Sequence, residues 1–131
     1  MSDSLADVKM VLVGHCGPDS WMLRGAVDRA VPEADLVMVT DQDELAAHLH
    51  PGRVLLLNRV LDGRFDQEHG HELIDRIVAA GAIPMLVSNF EDAQANAVAA
   101  GAHEGFGKTA INEPQTAEVI RAAAMKAASE A

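Results

Sequence analysis

The chain has a single cysteine and half as many basic as acidic residues, and both shortages exclude classes of function. Cys16 has no second cysteine with which to form an internal disulfide, which agrees with a reducing compartment. Lys and Arg together number 10 against 20 for Asp and Glu, so the formal net charge is -10. Phosphate backbones and anionic membrane surfaces repel such a chain. We therefore expect neither a nucleic acid nor a membrane as a direct partner.

The sequence also lacks the segments that direct a chain into or across a membrane. No apolar run approaches the roughly 18 residues that a membrane helix needs. The N-terminal segment has neither the basic nor the apolar region of a signal peptide. These observations predict a cytoplasmic protein. With 131 residues, of which 49% are hydrophobic, the chain can bury one core, so we expect one domain over residues 1–131 with its core at about 9–128.

Apolar runs rich in Val, Leu and Met alternate five times with stretches of helical period, without a linker or low-complexity break. This alternation is typical of a parallel α/β sheet. The strand runs are almost continuously apolar, which predicts helices on both faces of the sheet. The predicted strands are 9–14, 36–40, 54–57, 83–87 and 103–107. The predicted helices are 21–31, 42–49, 71–80, 91–100 and 114–129.

Local patterns predict how two of these helices begin, end and pack. The turn 17–20 precedes the first helix, and we expect its polar atoms, including those of Asp19, to cap it. Trp21 and Met22 follow, and core packing is a more common use for them than a pocket. Gly81 is expected to end the third helix. The apolar side of that helix is predicted to consist of Leu73, Ile74, Ile77 and Val78.

Polar side chains follow every predicted strand. Because parallel strands end at one edge of the sheet, their loops converge where such folds usually hold ligands or reacting groups. These loops therefore contain the candidate site residues. They are His15 and Cys16, Thr40 and Asp41, Asn58 and Arg59, Ser88 and Asn89, and Lys108 and Thr109.

From about Lys9 to Lys126 the chain resembles the receiver domains of two-component response regulators. The order of elements matches, Ser88 follows the fourth strand as the family pattern requires, and a Gly-Ala segment at 101–102 leads to Lys108. The resemblance implies a three-layer α/β/α, flavodoxin-like (βα)5 fold. It also implies a five-stranded parallel sheet in the order 2-1-3-4-5.

The residues that carry receiver chemistry are replaced. His15 and Cys16 occupy the positions of the acidic pair, and Asn58 occupies that of the phosphoacceptor aspartate. Magnesium is held by oxygen ligands, particularly carboxylates, and a carboxamide cannot form an acyl phosphate. The resemblance therefore indicates a pseudo-receiver that is not phosphorylated by the usual route. The degenerate phosphorylation-site positions are His15, Cys16, Asn58, Ser88 and Lys108.

The same comparison marks further departures. Thr109 stands where proline is usual, Gly105 takes the position of the switching aromatic residue, and Phe106 beside it is expected to point to the other face. Without an acceptor aspartate, Lys108 is expected to bond Asn58 or a strand-end carbonyl.

Two other carboxylates lie near the degenerate positions. Asp62 and Asp19 each lie four residues beyond one of them, so either could in principle replace the acceptor. A turn at Asp62-Gly63 and a helix cap at Asp19 are the more common uses of such residues. We therefore do not expect either carboxylate to restore phosphorylation.

The replaced residues could instead form a sensor site. Imidazole and thiol ligands suit zinc, Cys16 could respond to oxidants, and the start of the first helix could bind a small anion. The spacing of these residues is not that of a specific zinc motif, and no phosphate-loop or dinucleotide fingerprint is present. We therefore expect no metal and no cofactor. Beside His15 and Cys16, the possible ligand rim comprises Arg59, Asp62, His69 and His71.

Two functions from different classes remain open. The first is a non-catalytic, phosphorylation-independent module that binds a protein such as a kinase, a regulator or an output protein, with an acidic surface that favours a basic partner. The resemblance suggests the fourth helix, fifth strand and fifth helix, or the first helix, as contact faces. The alanine-rich stretches 93–102 and 117–128 could pack in a homodimer or simply lie close to the sheet. The alternative is the sensor; a hydrolase is disfavoured because Ser88 has no evident base.

Overall fold

The computed structural model describes residues 4–130, which form one sheet with helices on both faces. Five parallel strands lie in the order β2-β1-β3-β4-β5, as the resemblance implied. The strands are β1 Lys9–Val13, β2 Asp35–Val39, β3 Arg53–Asn58, β4 Ile83–Val87 and β5 His103–Phe106. The helices are α1 Gly17–Ala30, α2 Gln42–Ala46, α3 Ile74–Ala79, α4 Glu91–Ala99 and α5 Pro114–Glu130.

The apolar strands are explained by two separate core layers. Along β1, Met10 and Leu12 face the layer under α1 and α5, whereas Val11 and Val13 face the layer under α2, α3 and α4. Successive side chains of a strand point to opposite faces, so a strand covered on both faces needs apolar residues at every position. The prediction of helices on both faces is confirmed.

Helix α1 begins earlier than predicted, and this changes the roles of its first residues. Gly17 is already helical, so the segment 17–20 forms the first turn rather than a cap, which suits Pro18 because a first turn needs no N–H there. Trp21 and Met22 are 76% and 44% exposed, so their predicted core packing is wrong. Inward-facing positions recur at helical spacing instead, at Leu23, Ala26, Val27 and Ala30.

The third helix is shorter than predicted. A 3-10 turn, Gly70–Leu73, precedes α3, and Gly81 ends the helical segment with a positive φ of 83°. Val78 was predicted to face the core, but it is 43% exposed. Ile74 and Ile77 occupy the inward side at a spacing of three residues. Val78 follows Ile77 directly and therefore lies about 100° further around the helix than Ile77.

Most alanines of α5 pack against the protein's own core. Ala123, Ala124, Ala127 and Ala128 are buried against the layer under α1 and α5. Their small side chains let this helix lie close to the sheet, so these four alanines are not available for packing against a second copy. Among residues 4–130, no helix combines the length and apolar character needed to span a membrane.

Candidate functional site

The carboxyl edge of the sheet holds a cleft of about 300 Å³. Asn58 at the end of β3, Ser88 after β4 and Lys108 after β5 all line it, together with Arg59 and Phe90. His15 and Cys16 do not. The fold thus brings three of the five degenerate positions together in one cleft and leaves the other two outside its lining.

Asn58 is held by two hydrogen bonds that require an amide. Its Nδ2 donates to the carbonyl oxygen of Gly14 at 2.9 Å and to that of Val60 at 2.7 Å. These bonds tie the loop after β1 to the loop after β3. A carboxylate has no N–H to donate and would place negative charge beside two carbonyl oxygens. The local backbone is therefore built around asparagine at this position.

His15 is buried and neutral. Its side chain is 6% exposed, and its Nε2 lies 2.8 Å from the carbonyl oxygen of Leu56. Because a carbonyl only accepts, Nε2 carries the proton and Nδ1 is an unprotonated acceptor. Burial lowers the pKa of His15 from 6.5 to about 4, although the bond to Leu56 opposes this effect. A neutral imidazole cannot supply the negative charge of the acidic residue it replaces.

Lys108 has a different partner from the one predicted. Its Nζ lies 2.6 Å from Oδ2 of Asp19, and both side chains are about two-thirds buried. The hydrogen bond from Lys108 lowers the pKa of Asp19, and the thiol of Cys16 contributes a smaller effect in the same direction. The predicted contact with Asn58 or a strand-end carbonyl is wrong because α1 begins early and brings the Asp19 carboxylate within reach.

Asp19 is also not the cap of α1. The residue at the cap position is Cys16, whose side chain makes no capping hydrogen bond. A negative charge in the first turn still interacts favourably with the helix dipole. Asp19 therefore stabilises the start of α1 and neutralises Lys108.

The polar residues after β4 and β5 satisfy the local backbone. Ser88 Oγ accepts a hydrogen bond from the Phe90 N–H at 3.1 Å. Asn89 Oδ1 accepts from both the backbone N–H and the hydroxyl of Thr109, at 3.1 and 3.2 Å. Proline, which the family usually has in place of Thr109, could not donate the first of these two bonds. This departure therefore has a structural explanation.

Gln94 is a residue that the sequence patterns missed. Its Nε2 lies within hydrogen-bond distance of the carbonyl oxygens of Leu86, Ser88 and Phe106, at 2.9, 3.0 and 3.2 Å. A Cβ on Gly105 would collide with the Leu86 carbonyl oxygen and approach the Gln94 side chain. Glycine at position 105 is thus imposed by the close approach of the β4 backbone, with the Gln94 side chain of α4 as the next neighbour. The sequence did contain one signal for the role of Gln94, because it is a polar residue at the inward side of an alanine-rich helix.

The ligand rim predicted from sequence divides into separate parts. Arg59, His69 and His71 line a second cleft of about 450 Å³ with Phe90, and the Arg59 guanidinium lies 4.8 Å from the centre of the Phe90 ring. His15 and Cys16 do not line this cleft. Within residues 4–130, no three His, Cys, Asp or Glu side chains group closely enough to hold a metal ion. A metal site that unites His15 and Cys16 with the histidines of the 66–71 loop is therefore not formed.

Asp62 lies in an exposed turn, as expected. Its backbone N–H donates to the carbonyl oxygen of Gly14 at 2.8 Å, and Gly63 follows it with a φ of 131°. The carboxylate does not line the cleft that contains Asn58. The turn anchors the long loop to the end of β1.

Comparison with known proteins identifies the fold. No protein-family model matches the chain, and no curated protein matches its sequence. Solved structures do match. The signal receiver domain of a DNA-binding response regulator from Colwellia psychrerythraea 34H has a TM-score of 0.67 and 20% identity, over 88% of this chain and 97% of that chain. A response regulator from Thermotoga maritima has a TM-score of 0.64 and 16% identity, over 93% and 98%.

A third similar structure is a response regulator from Burkholderia pseudomallei, described with a phosphorylated aspartic acid, a calcium ion and citrate. Its TM-score is 0.59 and its identity 19%, over 95% of this chain and 70% of that chain. At such identities the likeness concerns the fold. The chain has the flavodoxin-like fold of response-regulator receiver domains.

Proposed function

We propose that this chain is a signalling module that binds a protein partner and is not switched by phosphorylation at the end of β3. The observation that carries the proposal is the bonding of Asn58. Its amide both replaces the nucleophilic carboxylate and donates to Gly14 and Val60, so the site is organised around a residue that cannot accept a phosphoryl group.

The charge of the cleft supports the same conclusion. Arg59 and Lys108 line it, and no carboxylate of the described residues does. A magnesium ion prefers carboxylate and other oxygen ligands, so a cleft that has two basic side chains and no carboxylate in its lining disfavours it. Asp19 is engaged by Lys108, and Asp62 lies outside the cleft. We propose that neither carboxylate takes over the role of acceptor.

Phosphorylation can be tested directly. The protein is incubated with Mg²⁺ and acetyl phosphate, and its intact mass is measured beside that of a receiver domain that has its acceptor aspartate. We expect the control to gain a phosphoryl group and this protein to remain unmodified. A phosphoryl group mapped to Asp19 or Asp62 would contradict the proposal.

The face formed by α4, β5 and α5 is the proposed partner surface. Both helices pack against β5. Val98 on α4 is 48% exposed, and the exposed residues Glu104 on β5, Glu113 just before α5 and Gln115 on α5 line one cavity at this face. An exposed apolar side chain together with two carboxylates that line one cavity suits a partner that presents apolar and basic groups.

A photo-crosslinking amino acid at the exposed Gln115 of α5 tests this surface, and the same substitution at Met38, which is 49% exposed on the opposite edge strand β2, is the control. We expect a specific crosslinked protein from Gln115 in a lysate of host cells, with a yield that falls as salt is raised. The same crosslinked product from both positions would contradict the choice of face. Light scattering on the purified protein would show whether that partner is a second copy of the chain.

We also propose that the module has no catalytic activity. The Ser88 hydroxyl is occupied by the Phe90 N–H, and no histidine among the described residues is hydrogen-bonded to it. A serine nucleophile needs such a base. The proposal therefore assigns no reaction and no cofactor.

A further inference from the structure

The sheet has two edge strands, β2 and β5, which differ in how open they are to a further strand. An edge strand exposes unpaired N–H and C=O groups, and proteins often protect it by short length, charged residues or irregular pairing. β5 has four residues, including a glutamate and a glycine, and its register with β4 shifts. β2 has the sequence Asp-Leu-Val-Met-Val, with one charged residue at its start and a regular register with β1. The β2 edge is therefore the more open to pairing.

The ladder with β1 shows which backbone groups of β2 are free. The Gly14 N–H donates to the Val39 carbonyl oxygen at 3.1 Å, so the backbone polar groups of Val39 face β1. These groups alternate in direction along a strand, so those of Val37 also face β1, whereas those of Leu36 and Met38 point away from the sheet. In the described part of the chain, no hydrogen bond outside the ladder reaches the outward groups.

The free stretch is short because backbone groups on both sides of it are already bonded. Before the strand, the Ala34 N–H donates to the Val31 carbonyl oxygen at 3.2 Å. After it, the Thr40 N–H donates to Oε1 of Glu44 at 2.9 Å, and the Thr40 carbonyl oxygen accepts from the Arg64 N–H at 2.8 Å. The edge therefore offers a partner the N–H and C=O groups of two residues.

A second copy of this chain has an edge of the same length and matches it in antiparallel register. With Val37 on a two-fold axis, Leu36 of each copy lies opposite Met38 of the other, and the two pairs exchange four hydrogen bonds. Asp35 then lies opposite Val39, so no carboxylate within one strand faces a carboxylate within the other. Any other centre would oppose an outward group to one that is already bonded.

The side chains beside this edge also suit pairing. Met38 is 49% exposed, and it lines one cavity with Trp21 of α1, which is 76% exposed. Leu36 lies on the same face of β2 and is only partly buried against the core. In the register centred on Val37, Met38 of one copy packs against Leu36 of the other. Pairing thus covers apolar surface that a single copy exposes to water.

We propose that β2 pairs with β2 of a second copy, antiparallel about Val37, to form a two-fold dimer with one continuous sheet. The contact is small, so the dimer is weak and needs concentrated protein. Each copy has a net charge of -10, so added salt should strengthen the dimer by screening repulsion. The edge lies across the sheet from β5, so this proposal and the proposed partner surface can fail separately.

Sedimentation equilibrium at up to about 1 mM protein tests the association. We expect a monomer–dimer equilibrium whose dissociation constant falls about threefold when salt is raised from about 0.05 M to about 0.5 M. The Leu36 and Met38 amides should exchange hydrogen more slowly as the dimer fraction rises, whereas the Val37 amide, which already faces β1, should change little.

Met38→Pro separates pairing from folding, because it removes an outward N–H that β1 does not use and edge strands tolerate proline. It should weaken dimerisation about tenfold or more relative to Met38→Ala, which keeps the N–H. Circular dichroism checks that both variants fold.

A disulfide test of the register needs no proline and uses a Cys16→Ser background. Val37→Cys places the two thiols at a directly opposed pair whose Cα atoms are about 4.5 Å apart. Met38→Cys places them diagonally at about 7–8 Å, beyond disulfide reach. Mild oxidation should therefore link Val37→Cys about tenfold faster than Met38→Cys.

Three results would overturn the proposal. The first is a monomer at every protein and salt concentration. The second is a dimer that forms equally well with Met38→Pro and Met38→Ala, which would place the contact on another face. The third is equal disulfide formation by Val37→Cys and Met38→Cys, which would show collisions without a fixed register.

Discussion

Acidification should destabilise this fold through the burial of one imidazole. His15 has a pKa of about 4 in the folded protein because burial disfavours its charged form, compared with 6.5 as the ordinary value. Between these two values the unfolded chain binds a proton that the folded protein does not. The free energy of unfolding must then fall as the pH falls. The stabilisation that neutral His15 contributes to the free energy of unfolding is complete above about pH 6.5 and is lost progressively as the pH falls toward about 4.

The size of the effect follows from the same two values. A change in pKa from 6.5 to about 4 corresponds to about 3 kcal/mol when the loss is complete. Between about pH 7 and about pH 5 the expected loss is about 2 kcal/mol. Small domains are stable by about 5–15 kcal/mol, so this loss is easily measured.

Urea unfolding followed by far-ultraviolet circular dichroism provides the assay, with wild type compared with His15→Gln at several pH values. Glutamine has an amide N–H that can donate to the Leu56 carbonyl but does not titrate, so the variant should lose about 2 kcal/mol less than wild type over this range. Burial also lowers the pKa of His48, so a smaller slope should remain in both proteins. His71→Gln, at an exposed position, is the matched control. Parallel stability curves for wild type and His15→Gln would refute the reasoning.

Three further experiments with substituted proteins test local features. In a double-mutant cycle, Asp19→Asn and Lys108→Met should show a coupling free energy of about 1 kcal/mol. This coupling should decrease in high salt because the pair is only partly buried, and additive effects of the two substitutions would contradict the prediction. Asn58→Asp should lower the free energy of unfolding by about 1–3 kcal/mol near neutral pH, because two N–H donors to backbone carbonyls are lost. An unchanged urea midpoint would count against this prediction. Gly105→Ala should lower the free energy of unfolding by about 1–3 kcal/mol, because the added Cβ would overlap with a carbonyl oxygen. Gly17→Ala should change the free energy of unfolding by no more than about 0.5 kcal/mol, because its Cβ would meet nothing within 4 Å. Equal urea midpoints for the two glycine variants would refute the last comparison.

Features that depend on local periodicity were predictable from the sequence. Strands β1 to β4 were located because both core layers demand apolar residues at consecutive positions, as in Val11 and Leu12. Strand β5, with the sequence His-Glu-Gly-Phe, has no such run and was placed by the alternation of strands and helices. The end of the third helix was located because Gly81 adopts a positive φ that other residues avoid. The start of α1 was not, because Gly17-Pro18-Asp19-Ser20 fits a turn and a first helical turn equally well.

By itself, the sequence determined the order of strands and helices and placed asparagine at the end of β3, because chain order and side-chain chemistry are properties of the sequence. Only the tertiary structure decided that Lys108 pairs with Asp19, 89 residues away, and that His15 is buried against Leu56 and loses its charge. The physical reason is that a side chain's partner and its exposure to water depend on distances between elements remote in sequence. No local pattern of residues contains those distances.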